Sequence, residues 1–262
     1  MSLLKETMVK NILHLFIMSG CLIAFTACSQ KTIQKNGSIK NVINDRDYGR
    51  VTPLMRAVQE NNMKKVRKLI KKGANVNAHT GDETVVTQKT ALMMAAEKGL
   101  TEIMNLLIDA GADVNAIDGW EQPHAGKPVM RYAVDSGSLP AVQLLIDARA
   151  NLNEFTECPI NHAKRQQANE RNLTILSCAI NMQAPIAIIE ALIKGGANVN
   201  KKSMIGYWTP LMVAAYRGYT QAVKQLLAAG ADKKATNNHD GKRIALDYAK
   251  EQGHKDIITL LK

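Results

Sequence analysis

Four histidines, His79, His124, His162 and His239, stand in polar, turn-rich stretches between apolar runs. An imidazole there could hold a metal or carry a proton near neutral pH. Metal binding needs further ligands at fixed spacing, and only Cys158-x-x-x-His162 approaches one. No His-Glu-x-x-His helix, Gly-x-Ser-x-Gly turn, phosphate loop or carboxylate pair accompanies them. Turn-located histidine is ordinarily polar surface, so the chain is expected to work by recognition, with no cofactor, no catalytic residue and no small-molecule substrate. A metal-dependent protein or enzyme using these histidines is the last of the readings. The four cysteines, Cys21, Cys28, Cys158 and Cys178, contain no C-x-x-C pair and are too few to staple 262 residues, which excludes a disulfide scaffold.

Two of those cysteines belong to the leader. Lys10 precedes Ile12 to Phe25, a mostly apolar stretch interrupted by His14, Ser19 and Gly20, whether translation starts at Met1 or at Met8. That is the charged start and short hydrophobic middle of an export signal, too short and interrupted for a membrane span. Its end, Phe25-Thr26-Ala27-Cys28, resembles the lipobox of bacterial lipoproteins. The resemblance implies a signal peptide over 1–27, a lipidated Cys28 holding the protein to a membrane, and a polar tether over 28–46. Met18-Ser19-Gly20-Cys21 competes, but apolar residues Leu22 to Phe25 follow it. Ser29, rather than Asp, after Cys28 implies placement in the bacterial cell envelope at the outer membrane, facing the periplasm.

Beyond residue 46 the chain repeats. G-A-x-V-N occurs at Gly73 to Asn77, Gly111 to Asn115 and Gly196 to Asn200, with degenerate copies at Arg149 to Asn153 and Gly230 to Asp232. Upstream stand matching starts at Thr52-Pro53-Leu54, Thr90-Ala91-Leu92, Pro128-Val129-Met130, Thr174-Ile175-Leu176, Thr209-Pro210-Leu211 and Ile244-Ala245-Leu246. Thr caps a short helix, Pro fits its first position, and Leu with a following Ala face inward. A second helix follows, as over Thr101 to Ala110, and Gly111 ends it in the left-handed conformation. Arg149 replaces that glycine in the third unit, so an altered helix end is expected there. With only 4% aromatic residues the core must be aliphatic, which favours helices.

This pattern resembles the ankyrin repeat and implies an all-α solenoid of about six helix-turn-helix units over residues 47–262, with extended finger loops. The family's His after T-P-L is absent. Met55, Met93, Arg131, Ser177, Met212 and Asp247 stand in its place, which puts its tie between turn and helix in question. Successive starts lie 38, 38, 46, 35 and 35 residues apart, against about 33 in a plain array. The excess falls where the family places its fingers, and insertions on one face of a solenoid mark a binding face.

The resemblance also places a groove. Its pairs are Gln59 and Glu60, Glu97 and Lys98, Asp135 and Ser136, Asn181 and Met182, Tyr216 and Arg217, and Lys250 and Glu251. Trp208, just before Thr209, should converge with Tyr216 and Arg217 outside the inter-repeat core, with Tyr207 beside it. Trp120 in the second finger is a further anchor, since Trp, Tyr and Arg dominate interface hot spots.

Lys64, Lys68, Lys71 and Lys72 fall along one face of the first unit's second helix. Beside a lipid anchor they would meet anionic head groups; as an end unit they would simply be solvated. The formal charge of the chain is +11, and its positive residues gather in the tether and first unit and not in the groove, so no nucleic-acid partner is expected. The resulting reading is a lipid-anchored envelope module that binds a protein through fingers and groove. An immunity or inhibitor protein that neutralises a toxic envelope-acting enzyme is the alternative. Cys158 and Cys178 are expected to remain unbonded, because Cys178 occupies an apolar helix position and Cys158 a long insertion.

Overall fold

The computed structural model describes residues 51–81, 88–119, 126–158, 172–204, 206–237 and 242–262. Residues 1–50, on which the expected signal peptide, Cys28 lipidation and tether fall, lie outside the described residues, as do Trp120, His124, His162 and His239. Six helix pairs run through the rest. They are α1 (Pro53–Gln59) with α2 (Met63–Lys71), α3 (Ala91–Glu97) with α4 (Thr101–Asp109), and α5 (Val129–Asp135) with α6 (Leu139–Asp147). Then come α7 (Ile175–Asn181) with α8 (Ile186–Lys194), α9 (Pro210–Arg217) with α10 (Thr220–Ala228), and α11 (Ala245–Gln252) with α12 (Lys255–Leu261). First helices pack on first helices and second on second, giving an all-α ankyrin-type solenoid of six units. Among the described residues no helix is long and apolar enough to cross a membrane.

The repeated motif explains both ends of each pair. Thr52, Thr90, Thr174 and Thr209 accept the N–H three residues on at 3.2–3.3 Å, closing the first helix's open donors. The missing histidine has substitutes: the sulfurs of Met93 and Met212 accept the N–H of Thr90 and Thr209 at 3.4 Å, and Asp247 accepts that of Ile244 at 3.0 Å. In the fourth unit the Thr174 hydroxyl donates to Ser177 Oγ at 3.0 Å. Leu54, Leu92, Met130, Leu176 and Leu211, one in each of the first five units at one motif position, are at most 1% exposed. Each such side chain contributes roughly 1.5–3 kcal/mol on burial, and a single unit has no second surface against which to bury it.

Second helices end on Gly73, Gly111, Gly196 and Gly230, all at positive φ. Arg149 takes the same turn at φ 60°, a conformation that costs a residue with a Cβ about 1–2 kcal/mol. Its side chain is exposed. Arg149→Gly should therefore raise stability by about 1 kcal/mol, read as a higher urea midpoint at unchanged slope.

Fingers are closed at their base by antiparallel pairing that the all-helical reading did not anticipate. His79 pairs with Thr90 and Ile117 with Pro128 as isolated bridges. Strand β1 (Phe155–Glu157) pairs with β2 (Asn172–Thr174), Phe155 opposite Thr174. His79, Ile117 and Phe155 each follow Gly73, Gly111 or Arg149 by six residues. Extra finger length therefore lies beyond a fixed pinch, which is why it leaves the stacking undisturbed. His79 serves this pinch, its Nδ1 lying 3.4 Å from the Thr80 carbonyl.

The expectation of unbonded thiols is corrected here. Cys158, just after β1, and Cys178, in α7, form a disulfide. The β1–β2 pinch brings back the chain that sequence distance had separated, and both residues are buried with Leu173 in a small cluster apart from the main core.

The last residue of each G-A-x-V-N segment clasps the next unit. Oδ1 of Asn77, Asn115, Asn153 and Asn200 accepts the N–H of Asp113, Asn151, Asn198 and Asp232 at 2.7–2.8 Å. Asn77 and Asn200 also donate to the carbonyls of Gly111 and Gly230. Lys234 occupies the equivalent place in the fifth unit.

Candidate protein-binding surface

In four of the six units a groove residue is met by the residue eight positions earlier, just before the start of that unit's repeated motif. In the second unit Lys89 pairs with Glu97 at 2.8 Å, in the third Lys127 with Asp135 at 3.6 Å, and in the sixth Arg243 with Glu251. The fifth unit replaces this ion pair with aromatic rings: Trp208 meets Tyr216 edge to face at 5.6 Å. The predicted convergence of the two is present. Their depth is not as expected.

Trp208 is only 4% exposed and belongs to the main core, its ring 4.2 Å from that of Tyr248 in the sixth unit. Its placement outside the inter-repeat core is therefore corrected. Tyr248 is in turn covered by Arg243, whose guanidinium carbon lies 4.2 Å from the ring centre, and it accepts from Asn237 Nδ2 at 2.5 Å. Tyr216 is half-buried. Arg217, also half-buried, donates from Nε to Asn181 Oδ1 at 2.8 Å across the unit boundary. The residue left outward is Tyr207, 44% exposed, with its backbone at φ 54°.

That backbone is informative. Three of the other non-glycine residues at positive φ have glycine counterparts at positive φ in the repeat: Asn61 and Gln183 stand where Gly99, Gly137, Gly218 and Gly253 turn the chain between helices, and Arg149 where Gly111 ends one. Tyr207 shares its turn with Lys242, at φ 63° two residues before the start of the sixth unit, and is the aromatic one of the two. Preceded by Gly206, also at positive φ, it holds a large ring outward while the next residue is driven inward. Met204 is 40% exposed in the same finger, its N–H donating to the Asn172 carbonyl of β2 at 3.1 Å. Met182, the groove residue after α7, is 39% exposed. Sequence reasoning missed Met204, since only the pairing with β2 ties its finger to the neighbouring insertion.

Further along the groove the surface is charged and mixed. Tyr132 is buried beneath Lys89 Nζ, 4.9 Å from the ring centre, and Lys127 Nζ at 5.7 Å, and its hydroxyl donates to the buried Asp118. Burial first, and then the Asp118 carboxylate, hold the phenol well above its ordinary range, so it remains a neutral donor. Lys98 donates to the Gln59 carbonyl at 2.7 Å. Lys64, Lys68, Lys71 and Lys72 are exposed on α2, in the first unit, and are not joined to Tyr207 and Met204 in the fourth finger. Lys65 of that helix pairs with an acid, Glu60, at 3.1 Å. Among the described residues no three of His, Cys, Asp and Glu stand close enough to hold a metal ion.

The family model for ankyrin repeats in three copies matches residues 3–118, 79–156 and 176–262. Protein phosphatase 1 regulatory subunit 27 from human is 38% identical over 74 residues, 28% of this chain and 46% of that protein. The ankyrin repeat and KH domain-containing protein mask-1 of Caenorhabditis elegans is 32% identical over 92 residues, 35% of this chain and 4% of its own. The chain thus spans less than half the length of either relative. The crystal structure of the ankyrin repeat domain of Bcl-3 superposes with a TM-score of 0.62 at 24% identity, covering 80% of this chain and 84% of that one.

These relatives overturn the bacterial lipoprotein reading. The matched curated proteins are from animals, and the similarity is that of the repeats. Lipid attachment at Cys28, a membrane partner held through it, outer-membrane placement facing the periplasm, and the immunity reading that depended on them are withdrawn. The cysteine pair that the structure does show is engaged within the chain, in the Cys158–Cys178 disulfide.

Proposed function

Because the chain belongs to the ankyrin-repeat family, and is thus a non-catalytic protein–protein interaction module, we propose that it captures its protein partner at the fourth finger and the groove beside it, with Tyr207 at the centre. Met204 and Met182 supply adaptable apolar area, and Tyr216 and Arg217 supply the half-buried flank. Trp208 acts from beneath, as the support that fixes the finger, and Trp120 is a second anchor in the proposal. The observation that carries this reading is Tyr207 itself, an exposed aromatic ring on a left-handed backbone. Such a conformation costs of order 1–3 kcal/mol and clusters at ligand clamps and other functional sites. A tyrosine also loses little side-chain freedom on binding for the area it buries.

Tyr207→Ala should weaken partner capture by about thirtyfold, the cost of an interface hot spot of roughly 2 kcal/mol. Helical signal and melting should be unchanged, since Tyr207 is not part of the hydrophobic core. Replacing Lys64, Lys68, Lys71 and Lys72 by Gln should leave capture intact and alter only its salt dependence. Partner retention by the Tyr207 variant together with loss by the lysine variant would move the binding face to α2.

A further inference from the structure

We propose that the Cys158–Cys178 bond is a thiol-exchange site in which Arg131 receives Cys178 as the leaving thiolate, so that a dithiol reductant unfastens β1 from the inner helices. The inference goes beyond partner binding and does not depend on it.

Arg131 carries the asymmetry. At its motif position the other units place Met55, Met93, Ser177, Met212 and Asp247. Pro128 at the unit's start has neither a hydroxyl nor an N–H for such a residue to engage. Arg131 instead reaches into the next unit. It is 5% exposed, and its Nη1 lies 2.7 Å from Cys178 Sγ and donates to the Glu157 carbonyl of β1 at 2.9 Å. Its Nη2 meets the Met182 sulfur at 3.0 Å, and Nε pairs with Asp135 at 2.5 Å. The other sulfur has a neutral neighbour, Asn181 Nδ2, 3.4 Å from Cys158 Sγ. One sulfur thus faces a cation and the other an amide.

Exchange chemistry turns that difference into a direction, because the sulfur better stabilised as thiolate leaves faster. The reductant's thiolate attacks Cys158 Sγ and forms a mixed disulfide. The S–S electron pair departs on Cys178, beside Arg131. The reductant's second sulfur, as thiolate, then attacks its own partner in the mixed disulfide and closes to an internal disulfide. Cys158 leaves and takes a proton, and the second proton of the dithiol goes to water. Two electrons have passed from the reductant to the protein.

Access comes from β1. Both sulfurs are buried, but the β1–β2 ladder is only three residues long on each strand, and a short two-stranded ladder opens locally at low cost. Lifting Glu157 from Arg131 uncovers Cys158 while Cys178 stays in α7. Among the described residues the charged groups around the bond are Arg131 and Asp135 on α5, Lys127 before it, Glu157 on β1, and Arg217 on α9, which reaches Asn181.

The test uses the full chain and dithiothreitol, with free thiols alkylated and counted by mass spectrometry. Arg131→Met should slow reduction at pH 7 by about tenfold, and in the reduced protein it should raise the Cys178 thiol's titration midpoint by about one unit or more. Arg131→Lys, which keeps the charge, should stay close to wild type in the thiol titration. Excess 2-mercaptoethanol with an early quench should trap the adduct on Cys158. On reduction the amides of β1 and β2 should lose hydrogen-exchange protection while α5 and α7 keep theirs. An adduct on Cys178, an unshifted thiol titration in Arg131→Met, or retained strand protection overturns the proposal.

Discussion

Trp208→Ala should lower the stability of the array by about 3–5 kcal/mol, the range for emptying a large aromatic site in a packed core. The ring is 4% exposed and lies against Tyr248 and Tyr216, so no solvent is available to fill the space. Urea denaturation followed by helical signal should show the loss, and Trp208→Phe should recover a substantial part of it. A double-mutant cycle with Tyr248→Ala should give a coupling of about 0.5–1.5 kcal/mol, the surplus of an aromatic pair over its area. Unchanged melting of Trp208→Ala would place the ring outside the core after all. The result also separates two roles that share a finger, since Tyr207→Ala should cost binding and Trp208→Ala should cost stability first.

A larger effect should follow from deleting residues 242–262, the sixth unit. That removes Tyr248 from Trp208, Ala245 and Ala249 from the inner-helix stack, and His254, whose Nε2 lies 3.2 Å from the Tyr216 carbonyl. It also strips Ile257 and Leu261, buried on α12, while the exposed Lys255, Asp256, Thr259 and Lys262 on the same helix go with them. In a solenoid each unit is stabilised chiefly through its neighbours, so the loss should exceed the roughly 4 kcal/mol of the Trp208 truncation and be concentrated in the fifth unit. Hydrogen exchange should show α9 and α10 opening well before α3 to α6. Equal protection across all remaining helices would contradict the nearest-neighbour picture.

Much of this was legible because it repeats. Thr52, Thr90, Thr174 and Thr209 announce their caps, and the left-handed Arg149 could be read from the glycines of the other units. The convergence of Trp208 and Tyr216 followed from the groove positions that the ankyrin resemblance implies. Their burial did not, because what covers Trp208 is Tyr248, a residue of the following unit that no local pattern connects to it. The disulfide was hidden for a related reason. Cys158 and Cys178 are 20 residues apart in sequence, and only the β1–β2 register brings them together. The replacement of histidine by Met93 and Met212 sulfur was hidden because an acceptor can be exchanged without changing the apolar pattern around it. The leader misled in another way: a few residues at Phe25 to Cys28 match a short pattern easily, whereas five spaced segments do not.

The asparagine clasps bear on how such an array grows. The second, third and fourth units each carry both halves of the clasp two residues apart, an amide donor such as Asp113 and an acceptor such as Asn115. Duplicating one of these three in the gene therefore adds one donor and one acceptor and leaves every pairing complete, whatever the length of the finger that travels with it. Duplicating the fifth unit is different, because its copy would present Lys234 where the next unit needs an acceptor. Lengthening this protein by tandem duplication is thus open to its middle and closed at that junction until Lys234 mutates to asparagine.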